Sequence, residues 1–239
     1  MSKILHSDKN FAVLMSSDEK AEITIYGRIG PSFWDEGLTT ESVDRELKKL
    51  PSSVKKLTIR INSLGGSYFD GLGIYNRLKS SKLHKTVIID ATAASAASII
   101  MLAGDTIEMG TGSMMMIHLP WIGVMANRIE MQKYITDLKV YEESALSVYM
   151  TKAKGLTKEQ VRQKMIDETW FTAEECVKFG FADKINADIV KVAASAFDKC
   201  DWIRKDRVPK NLVSMTENDR PQVNETKKNI TDILKLIES

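Results

Sequence analysis

The run Ala91-Thr92-Ala93-Ala94-Ser95-Ala96-Ala97-Ser98 sets two serines among residues small enough for main chain to approach closely. Six of its eight positions are alanine or threonine, and it follows a short apolar stretch, residues 86–90, that reads as a strand. A serine on a strand-to-helix turn projects its hydroxyl outward, and a helix N-terminus favours developing negative charge. Ser95, inside A-x-S-x-A, has the compactness of a nucleophile turn but not the glycines of G-x-S-x-G. The competing interpretation is a packed helix whose serines bond back to the preceding turn.

An attacking serine needs a base that titrates near neutral pH, and histidine is the common one. The chain has three histidines. His6 lies in a polar N-terminal segment expected to be mobile, and His84 in the polar loop KLHK. His118 ends the apolar run MMMIH and precedes Leu119-Pro120, which puts it at the rim of a buried strand. Open α/β sheets hold their ligands along that edge. A third element, Asn62-Ser63-Leu64-Gly65-Gly66-Ser67, also follows a strand and precedes a helix. Paired glycines permit positive φ and free backbone N–H groups for an oxyanion, or simply make a tight turn. Neither G-x-x-x-x-G-K-[ST] nor G-x-G-x-x-G stands there, so it is not a phosphate loop.

These three features require a scaffold that alternates strands and helices, and the pattern supplies one over residues 20–120. Strands are expected at 21–29, 56–62 and 86–90, and in TIEM and SMMMIH. Helices are expected in SVDRELKKL, capped by Thr39 or Thr40, and in DGLGIYNRLKSS. Crossovers of this length imply an α/β fold with a mainly parallel sheet. A polar helix without Gly or Pro follows at about 127–154, too long for so small a sheet to cover. Two short helices come next, capped by Thr157 with Gln160 and by Thr172 with Glu175, the second closed by Gly180. The expected division is an N-terminal segment, 1–19, a principal domain, 20–190, and a polar C-terminal extension, 191–239. In that extension ITDILKLI is the one helix candidate, and the tail after about residue 204 is expected to be dispensable.

Composition narrows the classes. Lys+Arg 34 against Asp+Glu 32 leaves a net charge of +2, without the basic excess of a nucleic-acid binder. Cys176 and Cys200 cannot make a disulfide framework, and no metal or cofactor site is expected. A reducing, cytoplasmic setting fits. The N-terminus has only a short apolar patch, 11–15, so neither a membrane span nor a secretory leader is expected.

Taken together, INSLGGS, TAASAAS, MMMIHLP and ETWFTAEECVKFGFAD, in this order, resemble the Clp protease proteolytic subunits, most closely the phage head-maturation branch. The resemblance spans about residues 20–190. It implies a ClpP/crotonase-like α/β fold of repeated β-β-α and βαβ units with a protruding handle helix. It implies an endopeptidase with Ser95 as nucleophile, His118 as base and Glu168 as acid. Glu168 holds the register counted back from Trp170, although the neighbouring Asp167 has the family's more common side chain. Gly66 and Ala96 match the oxyanion-hole positions, and Gly65, Ser67 and Leu119 the substrate groove. The sequence departs from the family pattern at Leu64, Ala91, Ala96, Leu119 and Ile122, none of which removes a catalytic group. Stacked rings, plausibly heptameric, are implied, acting on polypeptides in the cytoplasm of a bacterium or infected host, or in a phage prohead. An AAA+ unfoldase, or capsid and scaffold proteins, are the implied partners. Two other classes share the fold: a ring-forming assembly protein without catalysis, and a crotonase-type acyl-CoA enzyme.

Overall fold

The computed structural model describes residues 3–7, 11–31 and 37–187. The expected C-terminal extension, with ITDILKLI, lies outside the described residues.

Alternating apolar residues build the central strands. β1 (Lys3–Ser7), β2 (Phe11–Ser17) and β3 (Lys20–Ile29) form an antiparallel edge. β4 (Lys56–Gly66), β5 (His84–Ala94), β6 (Thr106–Gly110) and β9 (Lys184–Asn186) continue from β3 as parallel neighbours. Ile23, Ile25, Leu57, Ile59, Ile61, Val87, Ile89 and Ile107 alternate onto one buried face. Helices α1 (Thr40–Lys49), α2 (Tyr68–Lys79) and α3 (Ala96–Met101) supply the crossovers, and Val43, Ile74, Leu78 and Ile100 join the same core. The mixed α/β architecture is the one the sequence pattern implied.

Two strands run further than their sequence suggested. β4 continues through Gly65 and Gly66, which pair with Arg28 and Ile29, where a turn after Asn62 was expected. β5 continues through the alanine run and divides its pairing. Residues up to Ile89 pair with β6, whereas Thr92, Ala93 and Ala94 pair with β7 (Met114–Ile117). β8 (Thr169–Thr172) then adds antiparallel to β7. The N-terminus also differs from expectation: His6 lies on β1, its ring 5.4 Å from that of Phe11.

Helix caps follow the sequence. Thr39 caps α1, and Thr157 with Gln160 and Thr172 with Glu175 form capping boxes for α5 (Lys158–Ile166) and α6 (Ala173–Lys178). The long helix α4 runs Arg128–Met150, with Asn127 and Glu130 closing its own capping box. Only its last turns are buried, through Ala145, Leu146, Val148 and Tyr149. Ile129, Met131, Ile135 and Val140 are exposed along it, as are Trp121, Val124 and Met125 in the segment before it.

On the sheet face away from the core, Asp90 is fully buried and ion-paired with Arg60, and its carboxylate also accepts the Tyr26 hydroxyl at 2.6 Å. Burial and that bond push the Tyr26 hydroxyl up to about 12. The pair joins β3, β4 and β5 near the point where β5 changes partners. Asp90→Ala removes the acceptor for two donors and should lower unfolding stability by roughly 2–4 kcal/mol. A denaturant midpoint that falls with unchanged slope would show this; a loss under about 1 kcal/mol would refute it.

Candidate active site

Ser95 sits between the last residue of β5 and the first of α3. Its backbone is at φ 54, ψ −125, a strained conformation for a residue with a Cβ. Two contacts hold it there. Ser95 N–H donates to Met116 O at 3.0 Å, tying the turn to β7. The main chain at Gly65 packs directly behind it. A Cβ on Gly65 would lie 2.7 Å from Ala94 O, 2.8 Å from Ser95 Cβ and 2.9 Å from Ala96 N. With φ at +92, Gly65 is required on both grounds.

His118 leaves the end of β7, and the pairing of Ala94 with Met116 brings it beside Ser95. With the imidazole in its Nδ1–H tautomer, Ser95 Oγ donates to His118 Nε2 at 2.7 Å. Burial pushes the imidazole pKa down from 6.5 to about 4, so the ring is neutral at pH 7 and its Nε2 can accept a proton. Ser95 is the N-cap of α3 but makes no side-chain cap bond, which leaves its hydroxyl for the histidine.

The pair opens into a cleft of about 290 Å³ whose lining includes Gly66, Ser67 and Ala96. Its walls come from Tyr68, Phe69, Ile99, Trp121 and Tyr149, none of which the sequence motifs singled out. Phe69 stands edge-on to both Tyr68 and Tyr141. These walls lie on four separated segments, so no local signal groups them. Of the expected groove residues, Ser67 lines the cleft and caps α2 through its hydroxyl. Gly65 lies behind the Ser95 turn. Leu119 packs on the core, and its N–H donates to Met165 O at 3.2 Å.

Ser98, the other serine of the run, is fully buried. Its hydroxyl is held between Ser95 O and the Tyr149 hydroxyl, so it cannot meet a substrate in the cleft. The backward bond that a packed-helix interpretation expects is thus present at Ser98, while Ser95 faces the cleft.

The two acids differ. β7 and β8 pair Ile117 with Thr169, so the next step of the register sets Glu168 opposite His118. Glu168 leaves the strand at φ 51 and is half-buried. Asp167 caps α5, is exposed, and accepts from Gln163 Nε2 at 2.9 Å. Among the described residues the hydrogen bond with Ser95 is the one that the His118 ring makes, so Glu168 is in register but not bonded to it. Among the described residues no His, Cys, Asp or Glu cluster is placed to hold a metal, and no helix is long and apolar enough to cross a membrane.

The Clp protease family model matches residues 38–188, a span that contains both glycines, Ser95, His118 and Glu168. The ATP-dependent Clp protease proteolytic subunit of Porphyromonas gingivalis is 31% identical over 134 residues, 55% of this chain and 60% of that protein. Subunit 1 of Chlamydia abortus is 27% identical over 162 residues, covering 64% of this chain and 84% of the relative. The subunit of Bacteroides fragilis is 26% identical over 133 residues, covering 55% and 64%. The match therefore spans less than two thirds of the Porphyromonas and Bacteroides proteins. With more than half of its length matched by the family model, the chain belongs to the Clp protease family.

Proposed function

We propose that the chain is a serine endopeptidase, and the observation that carries this is the 2.7 Å hydrogen bond between Ser95 Oγ and His118 Nε2. Ser95 Oγ attacks the scissile carbonyl carbon as its proton passes to Nε2. The carbonyl oxygen takes up the negative charge and is met by the N–H groups of Gly66 and Ala96. The imidazolium then gives its proton to the leaving amine, and water, deprotonated by the same histidine, releases the acyl group and restores Ser95. Substrate lies extended beside Gly65-Gly66-Ser67 as an added strand. A crotonase-type acyl-CoA reaction has no use for this serine–histidine pair.

Glu168 completes the triad by turning its carboxylate onto Nδ1 when the site is occupied; the register opposite His118 supports this. The exposed apolar residues of α4 support assembly through that helix, as a handle between stacked, heptameric rings. The relatives are named ATP-dependent proteolytic subunits. An AAA+ unfoldase would feed folded substrates to such a chamber, whereas phage capsid or scaffold chains enclosed with it need none. The phage branch and these substrates rest on the sequence resemblance.

A fluorophosphonate probe should label the protein, and Ser95→Ala should abolish labelling and cut peptide hydrolysis by about 10³-fold or more. Labelling that persists in Ser95→Ala would overturn the assignment, and a wild type that neither labels nor hydrolyses would favour the assembly protein.

The pH dependence separates the acids. His118 works unprotonated, so activity is present above its pKa and is lost as pH falls through it. Without a carboxylate at Nδ1 that limb lies near pH 4. An engaged Glu168 raises it, so Glu168→Gln should move the acid limb down as kcat falls by up to about 10⁴-fold. Asp167→Asn should change neither. The reverse pattern would transfer the role to Asp167.

For assembly, light scattering at micromolar concentration should report a ring-sized particle, and Ile129→Asp with Ile135→Asp should reduce it. A wild-type monomer would refute the handle.

A further inference from the structure

The Ser95–Ala96 peptide unit has two functions that cannot be separated. Its carbonyl belongs to the nucleophile and its N–H is the oxyanion donor contributed by Ala96. The unit is planar, so whatever fixes the direction of the Ser95 carbonyl also fixes the direction of the Ala96 N–H. Two groups fix that carbonyl. Ser98 N–H donates to it at 2.9 Å, and Ser98 Oγ at 2.6 Å.

The Ser98 hydroxyl has one proton, which is spent on Ser95 O. The Tyr149 hydroxyl, 2.8 Å from Ser98 Oγ, must therefore be the donor in that contact. Both side chains are fully buried, and burial pushes the Tyr149 hydroxyl far above its ordinary pKa, which keeps its proton in place. The result is a chain of donors pointing one way: Tyr149 Oη to Ser98 Oγ, Ser98 Oγ to Ser95 O, and across the amide to Ala96 N–H. Hydrogen bonds in such a chain polarise one another, so a donor engaged at the carbonyl makes the N–H a stronger donor.

We propose that Ser98 and Tyr149 are positioning residues for the oxyanion hole, holding and polarising the Ser95–Ala96 peptide unit. The proposal rests on the peptidase reading for its kinetic consequences but not for its geometry. Three observations support it together: the strained Ser95 backbone, which needs restraint; the double acceptance at Ser95 O; and the proton count that orients Tyr149. Tyr149 belongs to the last turn of α4, so the chain also joins that helix to the nucleophile turn.

The test compares Tyr149→Phe, Ser98→Ala and the double variant in the full chain. Tyr149→Phe keeps the ring and its edge contact with Phe181 and removes only the hydroxyl. Each single variant should lower kcat for a peptide substrate about tenfold, or 1.4 kcal/mol, with KM unchanged within about twofold. The double variant should lose little more than either single one, because the two bonds act in series. Affinity for a peptide boronate, whose tetrahedral adduct loads the hole, should fall by the same factor, while a cleaved-product peptide binds as before. A purely structural role would not separate those two ligands. Unchanged kcat and boronate affinity in Tyr149→Phe would overturn the proposal, as would equal losses for boronate and product.

A second readout does not depend on activity. In protein labelled with ¹⁵N-alanine, the Ala96 amide proton resonance should move upfield in both single variants, as the Ser95 carbonyl loses the Ser98 hydroxyl in Ser98→Ala and keeps only an unpolarised one in Tyr149→Phe. A resonance that stays in place overturns the proposal even if kcat falls. If Ser95→Ala shows instead that Ser95 is not the nucleophile, the Ala96 resonance alone decides whether Ser98 and Tyr149 hold this peptide.

Discussion

The close main-chain approach of Gly65 to the Ser95 turn is the constraint on which the geometry of this site depends. Two parallel strands, β4 and β5, reach the same edge of the sheet and turn into helices side by side. A Cβ at Gly65 would come within 2.7–2.9 Å of Ala94 O, Ser95 Cβ and Ala96 N, so the two turns would have to move apart. Without one, the Gly66 and Ala96 segments converge on one cleft. The strain in the Ser95 backbone, of the order of 1–3 kcal/mol for such a conformation, is held by its neighbours. Met116 O takes the Ser95 N–H, and Ser98 holds its carbonyl. The geometry of this site is a property of packed backbone more than of side-chain choice.

Burial then sets the chemistry. The His118 ring is neutral at physiological pH because the site desolvates it. The sign carries over to stability. A histidine whose folded pKa lies near 4 against an unfolded 6.5 favours folding above 6.5 and loses that contribution as pH falls through this window. The fold is thus most stable where the His118 ring is neutral.

Much of this was legible in the sequence, and the rest was not, for identifiable reasons. Caps are local, so Thr157 with Gln160 and Thr172 with Glu175 could be read directly. Ser95 and His118 stood out in the sequence for their residue types and for their place after apolar runs, Ser95 at a strand-to-helix junction and His118 at the end of MMMIH. The full lengths of β4 and β5 were not, because glycine and alanine carry no strand signal and pair here only through their neighbours. The hairpin of β1 and β2 was missed because an apolar patch five residues long has no visible partner until β3 supplies one. The aromatic cleft walls and the Arg60–Asp90 pair were invisible for a third reason: their members are distant in sequence and meet only across the folded sheet.

The hydrogen-bonded sequence from Tyr149 through Ser98 to the Ser95 carbonyl has a thermodynamic corollary. Coupling free energies are reciprocal, so if Ser98 and Tyr149 hold the oxyanion hole as proposed, charge loaded there tightens their seat in turn, by an equal amount. A tetrahedral adduct on Ser95 would then act as a ligand of the last turn of α4. That turn would register occupancy as slower local opening and slower amide exchange.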